Sequence, residues 1–176
     1  MRVFIAIDIP DNIKEEIYLL SKKVEGIIGK PVEKENLHIT IKFIGEIEEN
    51  LLEELKKILE NIFYNKFYLE LSGVGTFNNR VLWIGISKGF REIVELHNLI
   101  EEKLAKIRIP KDFNFHPHLT IYRIKNIEYK KNFEESIKLL KNYKSPQILV
   151  DRIYLKHSTL TYKGPIYRNI GEYKLL

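Results

Sequence analysis

The residues best suited to chemistry are two histidines in nearly identical segments. Leu37-His38-Ile39-Thr40-Ile41 reappears as Pro117-His118-Leu119-Thr120-Ile121, an offset of 118 − 38 = 80 residues. Residues two apart on a strand share a face, so each histidine points the same way as its threonine, and the apolar residues point the other way. The apolar face must meet a core, so the polar face meets solvent or a cleft. Sheet packing alone does not require this pattern twice. The repeat therefore predicts two similar lobes, each bringing one such strand to a shared cleft.

Two such histidines suit the hydrolysis of a cyclic phosphate. That reaction needs a base to deprotonate water and an acid to protonate the departing ribose oxygen. A histidine pKa near 6.5 allows one imidazole to be neutral while its partner is charged. The hydroxyls of Thr40 and Thr120 can donate hydrogen bonds to the phosphate oxygens. Neither polar face carries Asp or Glu, the ligands that metal-dependent phosphodiesterases need, so no metal or other cofactor is expected.

Composition narrows the class of protein. The 176 residues predict one domain or two small lobes around one core. The absence of cysteine excludes disulfides and thiolate chemistry. A net charge of +5 is compatible with an anionic partner such as RNA, although the signal is weak. We see neither a signal peptide nor an apolar run of about 18 residues, so we expect a cytoplasmic protein with no membrane contact. We also expect a monomer.

Strands and helices alternate along the predicted chain, which indicates an α+β fold. The histidine motifs lie on strands, and each is preceded and followed by a helix. Strands are predicted at about residues 3–9, 37–44, 67–74, 80–87, 115–123, 147–156 and 166–175. Helices are predicted at about residues 11–28, 51–62, 90–104 and 129–140. A hairpin joins the third and fourth strands.

Nearly the whole chain resembles the RNA 2′,3′-cyclic phosphodiesterases, also called 2′-5′ RNA ligases, of the two-histidine phosphoesterase superfamily. The order and spacing of the motifs match throughout. The matching segments are Arg2-Val3-Phe4-Ile5-Ala6-Ile7, Asn36-Leu37-His38-Ile39-Thr40-Ile41-Lys42-Phe43-Ile44-Gly45-Glu46, Val81-Leu82-Trp83-Ile84-Gly85, Pro117-His118-Leu119-Thr120-Ile121-Tyr122-Arg123, Ser158-Thr159-Leu160 and Gly164-Pro165-Ile166-Tyr167.

The resemblance implies a single bilobal domain over residues 1–176, in which two pseudo-symmetric antiparallel sheets line a central cleft and helices lie outside. It implies catalytic roles for His38 and His118, phosphate binding by Thr40 and Thr120, and substrate binding by Arg123. The implied product is a 2′-phosphate, so the 3′ oxygen leaves. We assign His38 as its acid and His118 as the base for water. In the ligation that gives the family its second name, an RNA hydroxyl replaces water and a 2′-5′ bond forms.

Arg123 does not fit simple strand geometry. Strict alternation places it on the face opposite His118, so it needs a bulge or a strand end to reach a ligand.

Other residues have two interpretations each. Lys42 and Tyr122 continue the histidine faces and could contact substrate, but Lys42 could equally be a solvated lysine at a strand end. Phe4 could stack on a base or pack in the core. Phe43, Trp83 and Phe90 are predicted to be core residues. His97 lies on an apolar helix stripe and is predicted to be a hydrogen-bonded packing residue.

Three alternatives to the leading interpretation stay open. His116 and His118 share a strand face, and with His38 they could form a three-histidine zinc site, although both threonines would then have no role. The protein could also be a module that binds nucleotides or RNA with little turnover. Finally, the substrate could be another cyclic phosphate, because the motifs recognise phosphate and leave the base unspecified.

Overall fold

The computed structural model describes all 176 residues. The chain forms ten strands and four α-helices. Short 3-10 helices lie at Lys34–Asn36 and Ala105–Ile107. The strands are β1 (Arg2–Asp8), β2 (Ile27–Pro31), β3 (His38–Glu46), β4 (Phe67–Leu69), β5 (Leu71–Phe77), β6 (Val81–Ile86), β7 (Leu119–Ile127), β8 (Ile148–Val150), β9 (Arg152–Thr161) and β10 (Gly164–Lys174). The helices are α1 (Asp11–Lys22), α2 (Glu49–Glu60), α3 (Phe90–Leu104) and α4 (Lys130–Leu140).

Two four-stranded antiparallel halves form the main sheet. One half has the order β10-β9-β1-β3, and in the other β7 pairs with both β2 and β6, which in turn pairs with β5. A single residue pair, Ile39 with Leu119, joins the halves where β3 and β7 begin to diverge. Strands β4 and β8 form a separate small ribbon. The predicted α+β architecture with two antiparallel halves is therefore confirmed.

The helices cover the apolar side of the sheet and cross between its halves. Each has an apolar stripe with its buried residues at helical spacing, such as Leu52, Leu55 and Leu59 of α2. Helix α1 packs against β7, and α3 packs against β3, so each helix supports the motif strand of the other half. One cluster of 37 buried residues runs through both halves, which ties them into a single core. No helix in the structure is both long enough and apolar enough to cross a bilayer.

The first predicted helix is too long. Helix α1 ends at Lys22, and the last residues of the predicted helix, Ile27 and Ile28, instead begin β2, which pairs with β7. Gly29 makes this pairing possible, since a Cβ at that position would lie 2.1 Å from the carbonyl oxygen of Arg123. The apolar spacing of residues 24–28 fits a helix by coincidence, and tertiary pairing overrides it.

Other boundaries differ less. The predicted strands 67–74 and 147–156 are each divided in two, because their first residues pair in the small ribbon instead of the main sheet. The predicted hairpin between β5 and β6 is confirmed. Its turn is tighter than expected, because Phe77 pairs with Val81 across only three residues, of which Asn78 and Asn79 have left-handed φ angles of 51° and 54°.

Candidate active site

The junction between the two halves brings the duplicated motif together. Because β3 and β7 are antiparallel and pair at Ile39 and Leu119, the register sets His38 across from Thr120 and Thr40 across from His118. Ile39 and Leu119 are fully buried below, and the four polar residues line one cleft of about 410 Å³ above. The predicted convergence of the two motifs on one cleft is therefore confirmed.

The backbone fixes both imidazoles in the same orientation. His38 Nδ1 lies 2.6 Å from the carbonyl oxygen of Asn36, and His118 Nδ1 lies 2.6 Å from that of His116. A carbonyl oxygen can only accept a hydrogen bond, so Nδ1 carries the proton in both rings. Nε2 is then the nitrogen that can accept or donate a proton during a reaction. Each motif therefore orients its own histidine through the residue two positions earlier.

The resting cleft favours neutral imidazoles. Burial lowers the pKa of His38 to about 4, and the charges of Lys156 and Arg123 add to this effect. Burial also lowers the pKa of His118. Thr40 Oγ1 lies 2.9 Å from His38 Nε2, so its hydroxyl can donate a hydrogen bond to the neutral ring. The cleft is lined by Arg2 and Arg123 and by no acidic side chain, so its charge suits an anionic ligand. Such a ligand would favour the protonated, charged form of a histidine beside it.

Directly after its threonine, each motif strand has a β-bulge that interrupts the alternation of side chains between the two faces of the sheet. The register shifts between Thr40 and Lys42 in β3, and between Thr120 and Tyr122 in β7. In β7 the bulge turns Arg123 onto the cleft face, which strict alternation would not allow.

The placement of Lys42 and Tyr122 on the histidine face is wrong. The bulges rotate both side chains into the interior, where Lys42 is 2% exposed and Tyr122 is 8% exposed. Lys42 Nζ lies 2.8 Å from Glu101 Oε1 and 3.1 Å from Asp112 Oδ1, and it donates to the carbonyl of Pro110 at 2.7 Å. Lys42 therefore anchors the loop before β7, and it cannot contact a ligand in the cleft.

Phe43 is the residue that the same bulge brings to the cleft. It is half exposed, and the guanidinium of Arg2 lies 5.2 Å from its ring centroid. Its prediction as a core residue is wrong. Phe90 is also more exposed than predicted, at 37%.

Phe4, predicted either to stack on a base or to pack in the core, lies at the boundary between the cleft and the core. It lines the cleft yet is only 4% exposed, and its ring packs 5.0 Å from His38 and 5.0 Å from Tyr167. So little of the ring is accessible that Phe4 acts as a wall behind His38 and leaves no free face for a base.

The last hairpin contributes cleft residues that no local sequence pattern predicts. Ser158 and Leu160 of β9 and Pro165 and Tyr167 of β10 line the cleft. Tyr167 packs edge-on against His38, with ring centroids 5.3 Å apart. These positions lie within the segments that carry the family resemblance, which was the only signal for them, since no local pattern marks them as functional.

The three-histidine zinc site is not formed. His38, His116 and His118 do not bring their ring nitrogens together, and His116 packs against Trp83 at 5.0 Å between ring centroids. The side chains whose ligand atoms do converge are those of His97, Glu101 and Asp112. Lys42 already binds both of these carboxylates. His97 is a packing residue as predicted, with Nδ1 donating to the carbonyl of Ile41 at 2.7 Å and its ring stacked on Phe115.

A family model described as LigT like Phosphoesterase matches the chain twice, over residues 7–83 and 84–167. The chain belongs to this family. Each match contains one of the two His-x-Thr motifs. A curated protein of Methanocaldococcus jannaschii named RNA 2′,3′-cyclic phosphodiesterase is 43% identical over 98% of this chain and 100% of its own length. A protein of the same name from Archaeoglobus fulgidus is 38% identical over 99% and 100%.

Solved LigT-like structures share the fold. The crystal structure of Escherichia coli LigT complexed with 3′-AMP has a TM-score of 0.78 and 26% identity, and the alignment covers 99% of this chain and 97% of that one. The apo form of Escherichia coli LigT has a TM-score of 0.80 and 26% identity, with 99% and 96% covered.

Proposed function

We propose that this protein hydrolyses RNA 2′,3′-cyclic phosphate ends to 2′-phosphomonoesters, with His38 and His118 as a metal-independent acid–base pair. The observation that carries the proposal is the presence in one cleft of two imidazoles held in the same tautomer, each with Nε2 left for proton transfer. The substrate class comes from the relatives named RNA 2′,3′-cyclic phosphodiesterase. The absence of acidic residues from the cleft lining supports a phosphate ligand.

Proton transfers follow from the two Nε2 atoms. His118 Nε2 takes a proton from water while the water oxygen bonds to phosphorus. The bond between phosphorus and the 3′ oxygen breaks, and that oxygen takes the proton carried by His38 Nε2. The product keeps its phosphate on the 2′ oxygen. His118 then loses its extra proton to solvent and His38 regains one, which returns both imidazoles to their starting states.

The phosphate itself makes His38 a usable acid. In the free protein, burial and two nearby cations hold the pKa of His38 at about 4. A bound phosphodiester brings a negative charge beside the ring, and an opposite charge at that distance raises the pKa of a histidine. The protonated Nε2 then donates to the leaving oxygen, and the Thr40 hydroxyl is released to donate to a phosphate oxygen. Thr120 takes the same role beside His118, and Arg123 neutralises the phosphate charge.

The same geometry supports ligation when a ribose hydroxyl replaces water, since the proton transfers are the same. All of the groups proposed to act come from one chain, so we propose that residues 1–176 work as one bilobal domain in a monomer. The cytoplasmic location expected from the sequence forms part of this proposal.

The direct test is hydrolysis of a 2′,3′-cyclic mononucleotide in EDTA, with identification of the product. We expect a 2′-phosphate and full activity in the chelator. His38→Ala and His118→Ala should each lower kcat on the order of 10²–10⁴-fold, the worth of one positioned acid or base. The double variant should be little worse than the poorer single variant, because the two groups act as a unit. His157→Ala is the matched control, since His157 does not line the cleft.

Two results would refute this mechanism. Loss of activity in EDTA with recovery on adding zinc would show that a metal is required. Variants that melt early but keep their turnover would show that the histidines serve the scaffold only.

A further inference from the structure

A second depression of about 450 Å³ opens directly beside the catalytic cleft. It shares Thr40, Phe43 and His118 with the cleft, and its other wall is the loop of residues 111–116 between α3 and β7. The two depressions therefore meet where the proposed function places the reacting phosphate. We call the second depression the side groove.

The loop wall presents an aromatic ring entirely to solvent. Phe113 is 96% exposed, so it contributes almost nothing to the core. A single exposed apolar residue is ordinary. This one, however, shares the side groove with the half-exposed ring of Phe43, which also lines the catalytic cleft.

The loop is held rigidly on both sides of Phe113. On one side the backbone N–H of Asp112 donates to Glu101 Oε2 at 2.6 Å, and the Asp112 carboxylate pairs with the buried Lys42. On the other side Phe115 stacks on His97, with ring centroids 3.8 Å apart and planes 4° apart. Residues 113 and 114 project from these two anchors. The ring of Phe113 is therefore carried by a fixed support.

The charge of the side groove matches nucleic acid. Lys111 lines it and has no acidic partner within salt-bridge distance, while the one carboxylate in the lining, Asp112, pairs with Lys42, whose charge is shared with the buried Glu101. Aromatic rings combined with a free cation are the features by which proteins bind single-stranded RNA, through base stacking and phosphate attraction.

We propose that the side groove binds the RNA nucleotide that precedes the one carrying the cyclic phosphate, with its base on Phe113 and the phosphate that links the two nucleotides near Lys111. The proposal rests on the function proposed above. The catalytic cleft has the size for one nucleotide, and the chain must leave it close to the phosphate, because the 5′ oxygen belongs to the same ribose. The side groove is the depression that opens at that point. The enzyme would then distinguish RNA ends from free cyclic nucleotides.

The test compares adenosine 2′,3′-cyclic phosphate with the dinucleotide ApA ending in the same cyclic phosphate. For the unmodified protein we expect kcat/KM to be on the order of tenfold higher for the dinucleotide, within the range of one base stacked on an aromatic ring. Phe113→Ala should abolish this advantage without affecting the mononucleotide, because Phe113 does not line the catalytic cleft. Phe113→Trp should retain the advantage. Phe63→Ala, which removes another exposed ring far from the cleft, should change neither substrate.

Equal kcat/KM for the two substrates, or a full advantage in Phe113→Ala, would overturn the side-groove proposal and leave the phosphodiesterase function intact. Failure of the unmodified protein to hydrolyse either substrate would instead overturn the proposed function. Since Phe113 is almost fully exposed, its replacement should leave the fold unchanged, and unfolding curves will verify this.

Discussion

Acid should destabilise this protein partly through His38. The pKa of His38 is about 4 in the folded protein, compared with 6.5 for an ordinary histidine, because the ring is buried beside cations. As the pH falls below 6.5, His38 binds a proton in the unfolded chain, whereas in the folded protein it binds one only near pH 4. The contribution to stability is therefore complete above pH 6.5 and is lost as the pH falls towards 4. The difference in pKa corresponds to at most about 3 kcal/mol.

Urea unfolding of the unmodified protein and of His38→Asn at pH 7 and pH 4.5 measures this contribution. Asn cannot take up the proton, so the variant should lose less stability between the two pH values, by up to about 3 kcal/mol. His157→Asn, changed outside the cleft, is the control and should behave like the unmodified protein. NMR titration of the ring protons reports the pKa directly, and adding a 2′-phosphomononucleotide should raise it.

An NMR pKa at or above 6.5 for His38 in the free protein would refute this reasoning. Identical acid sensitivity in His38→Asn and the unmodified protein would refute it as well. If the pKa stays low when the phosphate ligand is bound, His38 cannot be the acid in the proposed mechanism, and the two histidines must exchange roles.

Two further changes probe the cleft and its support. Arg123→Ala should raise KM for an RNA end. It should also reduce the slope of log Kd against log salt concentration by about one, because one phosphate contact is lost. Lys125→Ala on the same strand should change neither quantity, and unaltered KM and kcat in Arg123→Ala would show that Arg123 does not belong to the site. Lys42→Met should lower the free energy of unfolding by about 3–5 kcal/mol, because it leaves the buried Glu101 carboxylate without its cationic partner. Adding Glu101→Gln to Lys42→Met should recover part of that loss in a thermal unfolding measurement, and a double variant no more stable than Lys42→Met would contradict this account of the ion pair.

Local patterns in the sequence were sufficient to bring the two histidines and two threonines to one cleft. The repeated His-x-Thr needed only the two-residue period of a strand to predict that each histidine and its threonine face a cleft. The apolar stripes of the helices and the resemblance of nearly the whole chain indicated the α+β fold in the same way, since both depend on residue order alone.

Tertiary structure decided the residues beyond the threonines and the nature of the surrounding walls. The two bulges depend on how β3 and β7 pair with their neighbours, and period-two alternation cannot anticipate an extra residue in a strand. Lys42 and Phe43 therefore exchanged the positions that alternation predicts, and Arg123 reached the cleft. The strand β2 shows the same limit, because its first residues, Ile27 and Ile28, suit a helix locally but pair with β7 in the folded protein. The His38 environment and the support beneath Phe113 join residues far apart in the chain, so only the folded protein brings them into contact.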